Sequence, residues 1–239
     1  MKTNSDSTKP AAADATPAKP AGARLRFEFW FEFASTYSYL SAARLPGLSR
    51  ARGVPVIYKP FLLGPIFQAQ GWNDSPFNIY PAKGRYMWRD LERQCEEYGL
   101  AYKRPAEFPR NGLRAARIAT ALLQSPDRAR YAPDFTRTVY EANFVHDQNI
   151  AEESILLELL ARQLPEAQEA AAIVSLSKSA QIKNQLRETT DRAQALGVFG
   201  APFFVVIDEG AAESELFWGD DRLEAAFAYY AKKLEADQE

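Results

Sequence analysis

The chain has 239 residues, of which 46% are hydrophobic, and a formal net charge of −2. It is long enough for one large domain or for a domain with an insertion, and its charge offers no basic face for nucleic acid. No run of about 18 apolar residues occurs, so we predict no membrane-spanning helix.

Residues 1–23 consist mainly of Ala, Pro, Lys, Ser and Thr, and we predict that they form a disordered tail. They lack the apolar core of a secretory signal. Cys95 is the single cysteine, so the chain forms no internal disulfide and is compatible with the cytoplasm, where we expect it. With His146 as the single histidine, a structural zinc site of Cys and His ligands is excluded.

The first predicted elements form a βαβ unit. Residues 24–33, "RLRFEFWFEF", alternate with a period of two and are rich in aromatic residues, which is typical of a strand. A helical pattern follows over residues 38–52, and Pro46 predicts a kink or a break in it. Residues 54–63, "VPVIYKPFLL", read as a second strand. The order strand, helix, strand predicts a parallel pair.

The remainder of the chain is helical and then returns to strands. Residues 64–196 contain at least five helical patterns and no convincing strand. Residues 202–208 and 214–219 have strand character and flank a hairpin loop, and a last helix begins at a cap formed by Asp220 or Asp221. We therefore predict an α/β fold in which a helical block is inserted between βαβ and ββα halves.

Two loops of this layout are candidates for chemistry. Ser35 lies in "FASTYS", between the first strand and the first helix, where by local sequence alone it is an ordinary N-cap. The second loop is "GVFGAPFF", residues 197–204, in which a proline opens a strand. A cis Ala201–Pro202 bond is a hypothesis at this position.

The layout resembles the thioredoxin superfamily, in its disulfide oxidoreductase branch with a helical insertion. Those oxidoreductases carry Cys-x-x-Cys at the turn, where this chain has Ser35, Thr36, Tyr37 and Ser38. Without the two thiols, the motif cannot perform thiol–disulfide exchange.

A narrower resemblance rests on four segments in the family's order. The segments "FEFASTYSYLSA", "PAKGRYMWRDLER", "GVFGAPFFVV" and "FWGDDRLE" are similar to those of 2-hydroxychromene-2-carboxylate isomerases and their relatives, the kappa-class glutathione transferases. Thr36 replaces the proline usual in the family. The resemblance implies a thioredoxin-like domain formed by residues 24–63 and 197–239, an inserted helical domain of residues 64–196, and a homodimer.

The resemblance also implies a cofactor, glutathione, and a role for Ser35. Glutathione brings its own sulfur, so the protein must stabilise the thiolate rather than supply a thiol. The Ser35 hydroxyl and the positive end of a helix can together lower the thiol pKa by roughly one to two units.

Further site residues are carried over from the family's motifs. The residues implied for glutathione are Ala201, Trp218, Gly219, Asp220, Asp221 and Arg222. The family often has Asn or Ser at the position of Asp220. The residues implied for a carboxylate-bearing aromatic substrate are Asn78, Lys83 and Asn111.

The implied activity is glutathione-dependent isomerisation of 2-hydroxychromene-2-carboxylate, or of a related aromatic compound, to trans-o-hydroxybenzylidenepyruvate, as in naphthalene degradation. Two alternatives stay open. The first is a kappa-like transferase or peroxidase that consumes glutathione. The second is a non-catalytic module that binds glutathione without turnover.

Overall fold

A computed structural model describes residues 25–236 and contains a four-stranded mixed sheet. Its strands are β1 (Leu25–Phe31), β2 (Val56–Pro60), β3 (Phe203–Asp208) and β4 (Glu215–Trp218). Their order across the sheet is β2-β1-β3-β4, with β1 parallel to β2 and β3 antiparallel to both β1 and β4. The predicted parallel βαβ unit and the predicted closing hairpin are thereby confirmed.

The helices of the described chain flank this sheet, and those from α2 to α10 lie in sequence between β2 and β3. Their bounds are α1 Thr36–Arg52, α2 Leu63–Ala69, α3 Pro76–Ile79, α4 Pro81–Tyr98, α5 Leu113–Leu123, α6 Pro126–Ala129, α7 Ala132–Phe144, α8 Glu153–Ala161, α9 Ala167–Leu176, α10 Ala180–Ala195 and α11 Leu223–Ala236. A 3₁₀ turn, Asp220–Arg222, precedes α11. Within residues 25–236, no helix combines the length and apolarity needed to cross a membrane.

Pro46 lies inside α1 and does not interrupt it, so the predicted break at this proline is wrong. A proline in a helix interior removes one backbone hydrogen bond. Here Leu40 and Leu45 are fully buried on the same helix, and α1 packs against α7. Burial of this apolar face holds the helix together through the proline.

Strand β1 is central and is buried on both faces. The alternation separates the faces as predicted: Phe27, Phe29 and Phe31 belong to the main core. Trp30, on the other face, lies in a second apolar cluster. Glu28 is buried beside it and accepts a hydrogen bond of 3.0 Å from the Trp30 indole nitrogen. Glu28 is therefore tolerated in the buried central strand because its carboxylate is hydrogen-bonded.

The sheet and the inserted helices share one core. Phe33, just after β1, packs against Phe135 and Tyr140 of α7 with ring centroids 6.3 and 5.4 Å away. The division into two domains stays a prediction, and the predicted tail of residues 1–23 lies outside the described residues. The packing brings the end of β1, the start of α1 and the start of β3 to one edge of the sheet.

Candidate active site

Ser35 occupies the N-cap of α1. A turn of residues 32–35 follows β1, closed by a hydrogen bond of 3.0 Å from the Ser35 N–H to the Glu32 carbonyl. The Ser35 hydroxyl oxygen accepts the N–H of Ser38 at 3.2 Å, as capping requires. The hydroxyl therefore sits at the positive end of a 17-residue helix.

The same hydroxyl joins the two loops singled out in the sequence. Ser35 Oγ donates to the carbonyl oxygen of Ala201 at 2.9 Å. The Ala201–Pro202 peptide bond is cis, which confirms that hypothesis. The Gly219 N–H donates to the Pro202 carbonyl at 3.0 Å, so the start of the last helical segment lies beside the same loop. Three of the four segments quoted above thus meet around Ser35.

An exposed aromatic pair borders the Ala201 loop. Trp218 and Phe199 are 55% and 45% exposed, and their ring centroids are 4.7 Å apart. Gly200 lies directly beneath the indole, because a Cβ at this position would stand 2.6 Å from Trp218 Nε1. Trp218 was expected in the site from the sequence, whereas Phe199 was missed.

Asp220 is engaged within the protein. Its carboxylate is 3% exposed in the folded chain and accepts hydrogen bonds from Ser41 Oγ at 2.7 Å and Arg44 Nη1 at 2.9 Å. Burial raises its pKa above the ordinary value, while the bonds from Ser41 and Arg44 act against this. Arg44 also pairs with Glu224. The Asp220 side chain therefore connects α1 to the last helical segment, and its predicted contact with glutathione stays a prediction.

Asp221 and Arg222 face solvent beside it. Their side chains are 65% and 59% exposed and form an ion pair of 3.4 Å. Gly219 holds the N-cap position of the 3₁₀ turn without a side-chain capping bond, so the predicted cap by Asp220 or Asp221 does not form there. Because the Asp221 and Arg222 side chains are exposed, both charges are accessible to a ligand.

The predicted substrate residues lie on α3, at the start of α4 and in the loop before α5. Asn78 is exposed, and its Nδ2 donates to Asp74 at 3.1 Å and to the Phe108 carbonyl at 3.5 Å. Lys83 is exposed, with its Nζ 4.7 Å from the centroid of the Tyr80 ring.

Asn111 has a structural contact. Its Oδ1 accepts the Leu113 N–H at 2.9 Å, a local side-chain bond to the first backbone N–H of α5. Tyr37, two residues after Ser35 on α1, contacts α3 and α4: its ring packs 6.5 Å from that of Phe77, and its hydroxyl donates to Asp90 at 2.9 Å. Sequence reasoning missed this link.

Glu32 is a further residue that sequence reasoning missed. Its Oε2 accepts the Ala34 N–H at 2.8 Å, and burial raises its pKa to about 7, with the Ala34 bond acting in the opposite direction. A carboxylate within an aromatic strand, three residues before Ser35, was the signal available in the sequence.

The single cysteine and histidine stand apart from this chemistry. Cys95 is buried in the core, and its burial raises the pKa of the thiol to about 11, with the charge of Asp220 as a smaller cause. A thiol held neutral in this way is a poor nucleophile. His146 is exposed in the loop after α7.

A serine in place of a reactive cysteine, at a helix start that faces a cis-proline loop, agrees with the comparison to known families. The family model described as "DSBA-like thioredoxin domain" matches residues 26–231. The chain belongs to this DSBA-like thioredoxin family. Its thioredoxin-like fold with a helical insertion, predicted from the motifs, is confirmed.

Relatives within this DSBA-like family include the two groups named from the motifs. A glutathione S-transferase kappa 2 of Caenorhabditis elegans is 28% identical over 82% of this chain and 87% of its own. A 2-hydroxychromene-2-carboxylate isomerase of Sphingobium xenophagum is 29% identical over 84% of this chain and 96% of its own. A solved 2-hydroxychromene-2-carboxylate isomerase superposes with a TM-score of 0.70 at 25% identity, covering 89% of this chain and 98% of that one.

Proposed function

We propose that this protein is a glutathione-dependent enzyme that isomerises 2-hydroxychromene-2-carboxylate or a related aromatic compound, with Ser35 as its catalytic residue. The single observation that carries the proposal is the hydrogen bond from Ser35 Oγ to the Ala201 carbonyl at the start of α1. It places a hydroxyl donor, a helix N-terminus and a backbone carbonyl acceptor around one point.

The donors and acceptors fit a small peptide thiol. An extended cysteine residue carries an N–H that the Ala201 carbonyl would accept, as in the addition of a strand. The Ser35 hydroxyl, which now donates to that carbonyl, would then turn its proton toward the sulfur. A hydrogen bond to a charged acceptor is about twice as strong as one to a neutral acceptor, so this exchange favours the thiolate.

The charged ends of glutathione match the exposed ion pair. The Asp221 carboxylate would accept from the γ-glutamyl ammonium, and Arg222 would hold its carboxylate, since both side chains face solvent. Gly219 and Trp218 contribute backbone and an aromatic edge beside the Pro202 carbonyl. Asp220 supports this segment from beneath through Ser41 and Arg44.

When bound, glutathione would supply a thiolate able to add to a conjugated substrate and to leave again. A double bond that the addition makes single could rotate in between, and the cofactor would be regenerated. Ser35 holds the thiolate charge during addition and elimination. Lys83, at the start of α4, is an exposed cation available to a substrate carboxylate, and Asn78 of α3 contacts the Phe108 carbonyl in the loop that would flank the substrate.

A kappa-like transferase or peroxidase is the second candidate, because the kappa relative is nearly as similar to this chain as the isomerase relative. In that reaction glutathione is consumed. The cytoplasmic location and the homodimer that the resemblance implies remain predictions.

Titration calorimetry with glutathione, followed by turnover of 2-hydroxychromene-2-carboxylate, tests the proposal. We expect saturable binding and formation of the trans product with glutathione recovered unchanged. Binding with consumption of glutathione on electrophiles, and no isomerisation, supports the transferase. Binding without turnover on either substrate class indicates a non-catalytic module, and absence of binding overturns the proposal.

A further inference from the structure

Glu32 belongs to the same turn as Ser35. Its Oε2 accepts the Ala34 N–H at 2.8 Å, and its backbone carbonyl accepts the Ser35 N–H at 3.0 Å. The carboxyl group is therefore folded back onto the turn that presents the Ser35 hydroxyl. Standard bond lengths place it within about 10 Å of that hydroxyl.

The surroundings of Glu32 exclude other charges. On the side of α5, Gly112 approaches so closely that a Cβ there would stand 2.8 Å from Glu32 Oε1. On the side of α7, the Tyr140 hydroxyl donates to the Glu32 carbonyl at 2.8 Å, and Tyr140 stays neutral because burial raises its pKa well above the ordinary value. Arg110, in the loop before α5, is turned to Asp147. Within residues 25–236, Glu32 takes part in none of the ion pairs.

A carboxyl group in this position changes charge near neutrality. Burial raises the pKa of Glu32 to about 7, against the lowering effect of the Ala34 bond. Two negative charges within about 10 Å of each other, in a partly buried site, each raise the other's pKa by roughly one unit. Ionised Glu32 and a thiolate held by Ser35 therefore oppose each other, and a neutral Glu32 favours the thiolate.

We propose that Glu32 takes up the proton that the thiol of bound glutathione gives up, an inference that rests on the proposed function. The S–H bond breaks, the sulfur keeps the electron pair, and an O–H bond forms on the Glu32 carboxylate. Nothing is oxidised or reduced, and the net charge of the site stays the same. The proton can travel through solvent, because Ser35 and Glu32 are both only partly buried.

Proton release on glutathione binding measures this directly. Calorimetric titrations at about pH 7.5, in buffers of different ionisation enthalpy, give the number of protons released per glutathione bound. We expect Glu32→Gln to release roughly half a proton more than the wild type, because the wild-type carboxylate keeps part of the thiol proton. S-methylglutathione has no thiol proton and serves as the control ligand, for which this difference disappears.

The outcomes separate the two proposals. If glutathione does not bind, the proposed function fails. If it binds and both proteins release the same number of protons, the proposed function stands and the role of Glu32 is overturned.

A second measurement needs no variant and covers the case in which Glu32→Gln does not fold. The side-chain carboxyl ¹³C resonance of Glu32 in the wild type should move toward its protonated position on addition of glutathione at about pH 7.5. It should stay in place with S-methylglutathione. An unchanged resonance with glutathione bound contradicts the inference.

Discussion

The hydroxyl group of Ser35 and the carbonyl group of Ala201 are joined by a hydrogen bond of 2.9 Å, although 166 residues separate them. The whole helical insertion lies between them in sequence. Each group satisfies the other in the free protein, and each is what an extended thiol peptide needs: a donor for sulfur and an acceptor for an amide. The fold thereby brings together, across the inserted helices, the two groups to which the proposed function assigns ligand binding.

Replacement of Ser35 by Ala should separate binding from chemistry. We expect glutathione to bind, but the pKa of the bound thiol to rise by about one unit or more and turnover at neutral pH to fall at least about tenfold. The loss of the helix cap should also cost about 1 kcal/mol of stability. Measurements are the thiolate absorbance as a function of pH, steady-state kinetics and denaturant unfolding.

Ser179→Ala is the matched control for the cap. Ser179 caps α10 in the same way, since its side chain accepts the N–H of Ile182 at 3.3 Å. We expect a similar loss of stability, about 1 kcal/mol, with an unchanged thiol pKa. Equal effects of the two variants on turnover would show that Ser35 acts as a cap and not as a thiolate donor.

Replacement of Asp220 and of Asp221, which are adjacent in sequence, should have different effects: the first on stability and the second on glutathione affinity. Asp220→Ala leaves Arg44 and Ser41 without their carboxylate partner in a buried position, so we expect a loss of about 2–4 kcal/mol in the free energy of unfolding. Asp221→Ala removes an exposed side chain, so stability should change by less than about 0.5 kcal/mol. Glutathione affinity should fall about tenfold or more in the second variant. Chemical denaturation and calorimetry report the two effects, and unchanged affinity in Asp221→Ala removes it from the site.

These two residues show where sequence reasoning reaches its limit. The alternation of β1 and the strand-helix-strand order were sufficient for the sheet, because period-two burial is a local property. Two acids at a helix start look alike locally. What distinguishes Asp220 is its contact with Ser41 and Arg44, at separations of 179 and 176 residues, which no local pattern reveals.

The loop residues Asn111 and Glu32 show how far a sequence motif determines the role of a side chain. Asn111 was predicted to face substrate, and its side chain also accepts the first backbone N–H of α5. Glu32 looked like a polar residue of an alternating strand, yet Gly112 approaches its carboxyl group from a distant loop. The Asn111 bond is local, two residues along the chain, and a role of Asn111 toward substrate stays a prediction, whereas the surroundings of Glu32 are set by a tertiary contact that no local pattern reveals.

Gly200→Ala should displace Trp218 without unfolding the protein. The new Cβ would stand 2.6 Å from Trp218 Nε1, and the indole is 55% exposed, so it can swing outward. We expect stability within about 1 kcal/mol of the wild type and glutathione affinity lowered about fivefold to tenfold.

Gly47→Ala provides the comparison. Gly47 lies in α1, and nothing stands within 4 Å of a Cβ placed there, so alanine should raise stability by up to about 1 kcal/mol and leave affinity unchanged. Calorimetry and tryptophan fluorescence distinguish the two variants. Wild-type affinity in Gly200→Ala would mean that the position of Trp218 does not matter for binding.

Glu32 should make the stability of the protein depend on pH in a way that needs no ligand. Its pKa is raised in the fold from an ordinary 4.5 to about 7, so between these values the folded state binds more protons than the unfolded state. The stabilisation that this group contributes is therefore present at low pH and is lost as the pH rises through that window.

Glu32→Gln carries no such charge, so its stability relative to the wild type should increase from about pH 5 to about pH 8. Denaturant midpoints across this range test the prediction, with Glu213→Gln, in the exposed hairpin loop, as the variant that should run parallel to the wild type. A constant difference between Glu32→Gln and the wild type would show that Glu32 is already ionised at low pH in the fold, and would remove the basis for its role as a proton acceptor.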